Sequence, residues 1–219
     1  MALARDGTDE QKGPAARALG NLASNDDRIR WKMVEAGGIT PLVALARDGT
    51  DEQKGLAAHA LGNLALGVPW GSSHSARRSA NDQVAIVRAG GIIPLVAFAR
   101  DGTDEQKGLA ARALGNLAYH ADGQVAIERA GGIMPLVVLA RDGTDEQKGL
   151  AACALGNLAS DSDDNQVAIA QAGGIMPLVA LAHEGTEGTF RAIRALGTLA
   201  QYADNYIAEV LLFGRMVLV

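Results

Sequence analysis

Apolar and polar positions along this chain alternate with a helical period, stop at glycines, and then start again, and the same three-part pattern returns about every 42 residues. The unit reads as three helices. In the first, Asp164 to Gln171, Val167 and Ala168 are followed by Ala170 and Gln171 at helical spacing before a Gly-Gly stop. The second starts after that stop, with Pro177 in its first turn, where a missing N–H costs little, and runs to about Ala182. Pro41, Pro94 and Pro135 hold the same place in the other units. In the third, Thr144 is an N-cap, Gln147 its capping-box partner, and Asp145 and Glu146 face the positive end of the helix dipole. That helix is predicted to continue to Ala159. Gly149 inside it costs about 1 kcal/mol relative to Ala, so its recurrence at Gly13, Gly55 and Gly108 implies either a close helix contact or an open surface.

Three strings carry the repeat. Gly-Thr-Asp-Glu-Gln-Lys-Gly begins at Gly7, Gly49, Gly102 and Gly143, with a degenerate copy at Gly185, so the spacings are 42, 53, 41 and 42. Ala-Leu-Gly-Asn-Leu-Ala begins at Ala18, Ala60, Ala113 and Ala154, and Ala-Leu-Gly-Thr-Leu-Ala at Ala195. Ala-Gly-Gly-Ile begins at Ala36, Ala89, Ala130 and Ala172. The spacing of 53 contains an insertion of 11 residues. The expected organisation over 1–219 is a partial unit at 1–23, units at about 24–65, 81–118, 121–159 and 163–200, an insertion loop at 66–80, and a partial unit at 203–219. Gly67, Pro69, Gly71 and a Ser-rich run mark the insertion as loop. It contains Trp70, which is either an exposed binding element or packed on its own repeat, and Arg77-Arg78-Ser79, a weak match to a basophilic kinase site.

Composition follows from the repeat. The 27 glycines are its punctuation, and two Trp, three Tyr and three Phe leave the core to be built from Ala, Leu, Val and Ile. A net charge of −5 excludes a broad footprint for nucleic acid or anionic lipid. One cysteine, Cys153, permits no internal disulfide and fits a reducing compartment, so a cytoplasmic location is expected, with the nucleus as a second. The N-terminus lacks the apolar run of a signal peptide, and the charge-free stretch Asn165 to His183 is broken by Gly173, Gly174 and Pro177, so no membrane span is expected. No enzyme is expected either. His59, His74, His120 and His183 are not at metal-ligand spacing, no nucleophile or phosphate-binding motif is present, and the carboxylates sit mostly in capping turns, so no catalytic residue, metal or cofactor is assigned.

The Gly-Gly-Ile-x-Pro-Leu-Val starts at Gly37, Gly90, Gly131 and Gly173, together with the Ala-Leu-Gly-Asn-Leu-Ala ends, resemble the armadillo repeat family over essentially the whole chain. HEAT repeats, the nearest competitor, usually have two helices and lack the Gly-Gly break. The resemblance implies an all-α fold, a right-handed α-solenoid or superhelix with three helices per unit, whose third helices line a concave groove. It further implies that the asparagine near the end of each third helix hydrogen-bonds the backbone of an extended peptide, which places Asn21, Asn63, Asn116 and Asn157 in that role. The alternative is that each Asn caps its own helix or bonds the next loop. Thr198 breaks the ladder in the last unit.

Specificity is expected from positions that vary within the repeated frame. One turn before each ladder residue, on the same face, stand Arg17, His59, Arg112, Cys153 and Arg194. In nuclear-import adaptors of the family this place commonly carries Trp. None of the five is aromatic and three are Arg, which points to a protein or extended-peptide partner with acidic side chains or a terminal carboxylate. Alternatively these arginines bond neighbouring repeats. The chain starts within a second helix and stops inside another unit, so head-to-tail stacking through Leu211, Leu212, Phe213, Met216 and Leu218 is expected. A scaffold with important contacts end to end, and a nuclear-transport adaptor, remain as other functional readings.

Overall fold

The computed structural model describes residues 1–66 and 73–200, apart from the side chains of 25, 27 and 73–80. It divides the chain into two compact units, Met1–Ala130 and Gly131–Val219. The division falls at a Gly-Gly stop, inside a repeat rather than between repeats.

The first unit contains three kinds of helix in recurring order. The second-helix type comprises α1 (Ala2–Asp6), α4 (Ile39–Asp48) and α7 (Ile92–Asp101). The third-helix type comprises α2 (Asp9–Asn25), α5 (Asp51–Leu64) and α8 (Asp104–Leu117). The first-helix type comprises α3 (Asp27–Glu35), α6 (Ser73–Arg88) and α9 (Ala121–Arg129). Each second helix packs on the third helix that follows it, and α2, α5 and α8 stack in succession. Leu42, Leu61, Leu64, Ile86, Leu95, Leu114, Leu117 and Ile127 fill the interior without measurable exposure.

The second unit repeats the plan with α10 (Ile133–Asp142), α11 (Asp145–Ala159), α12 (Asp163–Gln171), α13 (Ile175–His183) and α14 (Gly188–Ala200). Here α11 packs on α14, and Leu136, Leu155, Leu158, Ile169 and Leu178 form the core. No strand occurs among the described residues, and no single helix there is long and apolar enough to cross a membrane. The Asn165–His183 stretch belongs to α12 and α13, which are bent by 82° at their break.

Local chemistry sets these boundaries. In α5 the Thr50 N–H donates to Gln53 Oε1 at 3.0 Å and the Gln53 N–H to Thr50 Oγ1 at 3.3 Å, and Thr103/Gln106 and Thr144/Gln147 repeat the box. At the other stop, Gly90 adopts φ 78° and the Gly91 N–H reaches back to Ile86 O at 3.0 Å, the Schellman pattern. Gly91 is required for a different reason: a Cβ there would lie 2.8 Å from Ile86 Cγ2.

One boundary differs from expectation. Residues 73–80, expected in the insertion loop, are helical and continuous with the first helix of the next unit. After Gly71 the run Ser73–Ala80 contains neither Gly nor Pro, so nothing stops the helix from extending towards its N-terminus. Trp70 lies outside the described residues, as do the side chains of Arg77, Arg78 and Ser79 and the whole tail with Leu211, Leu212, Phe213, Met216 and Leu218.

Candidate functional site

Adjacent third helices approach closely because small residues face each other. A Cβ added at Gly62 would lie 3.3 Å from Ala113 Cβ, and one at Gly156 would lie 3.1 Å from both Ala195 Cα and Ala195 Cβ. Gly55, four residues into α5, instead has room, since its nearest neighbour would be Gln106 Cγ at 3.9 Å. At Gly149 the contact is close again, with Gly188 Cα 3.2 Å from the added carbon.

Two rows of side chains fix the register of this stack. At the N-terminal end the capping-box glutamines also reach the preceding third helix: Gln53 Nε2 donates to Asp9 O at 2.8 Å and Gln106 Nε2 to Asp51 O at 2.9 Å. At the C-terminal end the asparagines do the same, Asn63 Nδ2 to Gly20 O at 3.0 Å and Asn116 Nδ2 to Gly62 O at 3.1 Å. Each bond adds a donor from the next repeat to a main-chain carbonyl of the helix before, at about 1 kcal/mol apiece.

This geometry changes the expected role of the asparagines. Asn63 is only 4% exposed, and its amide nitrogen also lies 3.1 Å from His59 Nε2, so both N–H groups are occupied within the protein. The partner is neither its own helix end nor the next loop, but the helix before it. Asn116 is half-buried, while Asn21 is exposed. In the second unit Asn157 Oδ1 accepts from Arg194 Nη2 at 3.0 Å, and Cys153 Sγ lies 3.4 Å from the same nitrogen, which brings three of the expected site residues together on one another. Thr198 turns back to Arg194 O of its own helix at 3.1 Å, so the row ends there.

The first unit carries an open cavity of about 630 Å³ across its third helices. Arg17 enters from α2; Asp51, Glu52, Gly55, Leu56 and His59 from α5; Glu105, Gln106, Leu109 and Arg112 from α8, with Thr103 at its N-cap. Three residues expected at the specificity positions, Arg17, His59 and Arg112, thus meet in one groove. Arg17 Nη2 is already paired with Glu52 Oε1 of the next repeat at 3.1 Å, as the neighbouring-repeat reading anticipates. Both side chains are largely exposed, so this pair adds little stability and can open to a ligand. Arg112 has no such pair among the described residues. Burial depresses the His59 pKa, Arg112 depresses it further, and Glu105 opposes them.

Sequence reasoning missed Asp51, Glu52, Glu105, Leu56 and Leu109 as groove residues. The acidic ones were accounted for by helix capping, a role that leaves their carboxylates free to face the groove as well. Leu56 and Leu109 stand three residues before His59 and Arg112, and that spacing alone places them on the same face.

Stacked three-helix repeats with a groove of mixed lining over their third helices define an all-α solenoid of the binding-scaffold class. Neither a protein-family model nor a curated protein matches the chain. Solved structures do. An engineered protein is 34% identical, with 90% of this chain and 76% of that one covered and a TM-score of 0.80. A designed armadillo repeat protein in complex with the peptide (KR)4 is 27% identical, with 90% and 79% covered and a TM-score of 0.77. Computationally designed armadillo repeat proteins for modular peptide recognition are 26% identical, with 95% and 83% covered and a TM-score of 0.83. The chain belongs to the armadillo repeat family. That fold is a non-enzymatic binding scaffold, and the designed neighbours bind peptides.

Proposed function

We propose that the chain is a protein–protein interaction module that holds an extended peptide segment of a partner in the groove of its first unit. The observation that carries this reading is the open cavity lined by Glu52, Leu56, Glu105, Leu109 and Arg112, beside the Arg17–Glu52 pair, with Arg112 in no ion pair among the described residues. Such a lining suits a segment with an acidic side chain on Arg112, where a guanidinium binds carboxylate bidentately, and a short apolar side chain against the leucines. The flanking carboxylates then favour a basic residue beside the acidic one, so the ligand is of mixed charge rather than uniformly acidic. Its backbone is not read by Asn63, whose amide is spent on Gly20 O and His59; the less buried Asn21 and Asn116 are the ladder residues left to meet it.

Fluorescence anisotropy against a panel of labelled peptides, acidic, basic and mixed, tests this. Mixed-charge peptides should bind best, and Arg112→Glu should weaken the best of them by about 2 kcal/mol, roughly thirtyfold, by replacing a charge-assisted pair with repulsion. Binding that no peptide shows, or that Arg112→Glu leaves unchanged, overturns the reading.

A further inference from the structure

Of the residues one turn before the ladder asparagines, His59 is the one that touches its ladder residue through a titratable ring. Asn63 Nδ2 lies 3.0 Å from Gly20 O on α2 and 3.1 Å from His59 Nε2 on α5. A carbonyl oxygen only accepts, so the amide nitrogen must face Gly20. An amide nitrogen only donates, so His59 Nε2 must accept, and the imidazole proton sits on Nδ1. The other side of the ring packs on α2 as well, since a Cβ at Gly20 would come within 3.0 Å of Nδ1. Asn63 is 4% exposed, so its amide is held by these protein partners.

An imidazolium donates from both nitrogens. Its Nε2–H would then oppose the Asn63 N–H, and turning the amide over would set Asn63 Oδ1 against Gly20 O. No orientation of Asn63 serves both neighbours. We propose that His59 is a pH-sensitive latch on the α2–α5 interface: the neutral ring holds Asn63 in the orientation that ties α5 to Gly20, and protonation releases that tie and loosens α2. The charged groups around it are Arg17 from α2, Asp51 and Glu52 on α5, and Arg112 and Glu105 from α8. Arg17 is engaged by Glu52, while Arg112 and burial oppose the imidazolium and Glu105 favours it, so release falls below the ordinary histidine range. The next interface lacks the device, because Asn116 keeps its bond to Gly62 O beside Arg112, a side chain whose charge does not titrate. The latch stands independently of any peptide in the groove.

Two measurements on the full chain test it. Long-range ¹H–¹⁵N spectra at neutral pH should show the His59 Nδ1–H tautomer; an Nε2–H tautomer overturns the proposal. Hydrogen exchange, corrected for its intrinsic pH dependence, should show the buried amides of α2 (Ala16, Leu19, Ala23) opening roughly tenfold more often at about pH 5 than at about pH 7.5, as one lost hydrogen bond allows. In His59→Gln, whose Oε1 accepts without titrating, that acid-induced opening should vanish. Equal opening in the wild type and His59→Gln, or none in the wild type, overturns it.

Discussion

Glycine to alanine at three positions of the third helices is the same chemical change with three different expected outcomes. Each substitution gains about 1 kcal/mol of helix propensity and unfolded-state entropy. Against that stands the space each new methyl finds. At Gly55 the nearest neighbour is a flexible Gln106 Cγ at 3.9 Å, so the gain should survive whole. At Gly62 the neighbour is Ala113 Cβ at 3.3 Å, which must give by a few tenths of an ångström. At Gly156 the methyl meets Ala195 Cα and Cβ, both at 3.1 Å and both fixed to α14, so two helices must part. Overpacking of this kind costs about 1–3 kcal/mol. The expected changes are therefore about 1 kcal/mol of stabilisation for Gly55→Ala, near zero for Gly62→Ala, and about 0–2 kcal/mol of destabilisation for Gly156→Ala. In a chain of this length 1 kcal/mol moves Tm by roughly 2–4 °C. Because stability in repeat arrays is distributed over neighbours, thermal melts should be paired with hydrogen exchange at Leu61 and Leu155, which report on α5 and α11 separately. If Gly156→Ala stabilises as much as Gly55→Ala, the claim that these glycines set the helix spacing is wrong.

Gln106→Ala removes a cap and a tie between helices together, so urea denaturation should show a loss of about 2 kcal/mol, against about 1 kcal/mol for Gln11→Ala, whose exposed side chain makes only the capping bond to the Thr8 N–H at 3.1 Å. Equal losses would mean that the bond from Gln106 to Asp51 O contributes nothing. Burial pushes the Asp82 carboxyl from 3.8 up to about 6, despite Arg30 nearby. A raised acid favours the fold fully below its unfolded value and loses that contribution as pH rises through about 6, so Asp82→Asn should stabilise at pH 7 by up to about 3 kcal/mol and have little effect at about pH 4. The model for the change is Asn165, which stands at the equivalent place and donates to Leu158 O at 2.9 Å. Denaturation midpoints at the two pH values check it, and a stabilisation that is the same at both would remove burial of the charge as its cause.

The helices and their stops were legible because they depend on neighbours in sequence. Thr50 and Gln53, or Gly90 and Gly91, carry their own partners within a few residues, and any copy of the string meets the same chemistry. The insertion misled because serine suits both a loop and a helix N-terminal extension, and only the absence of a breaker after Gly71 separates the two. The asparagine ladder was harder for a different reason. An Asn side chain offers the same donor to a peptide carbonyl and to a helix carbonyl, and which one it meets depends on how near the glycine lets the preceding helix come. Gln53 and Gln106 hid a second bond in the same way, since a capping box explains their presence completely at the level of sequence.

The division of labour among these side chains bears on how the groove works. Gln53, Gln106, Asn63 and Asn116 hold register, each against a carbonyl of the helix before, and that bond depends on the residue one turn away only where the two side chains touch. Where they do not touch, as at Arg112, the position one turn before the asparagine is free to differ without disturbing the stack. Arg112 illustrates the freedom: its charge sits in the groove while Asn116 keeps its bond to Gly62. His59 is where the two tasks meet, because a ring short enough to touch Asn63 makes the register depend on its proton. Recognition and register are separable at an arginine and coupled at a histidine, so exchanging His59 for Arg should leave the α2–α5 interface insensitive to pH while adding a second fixed charge to the groove.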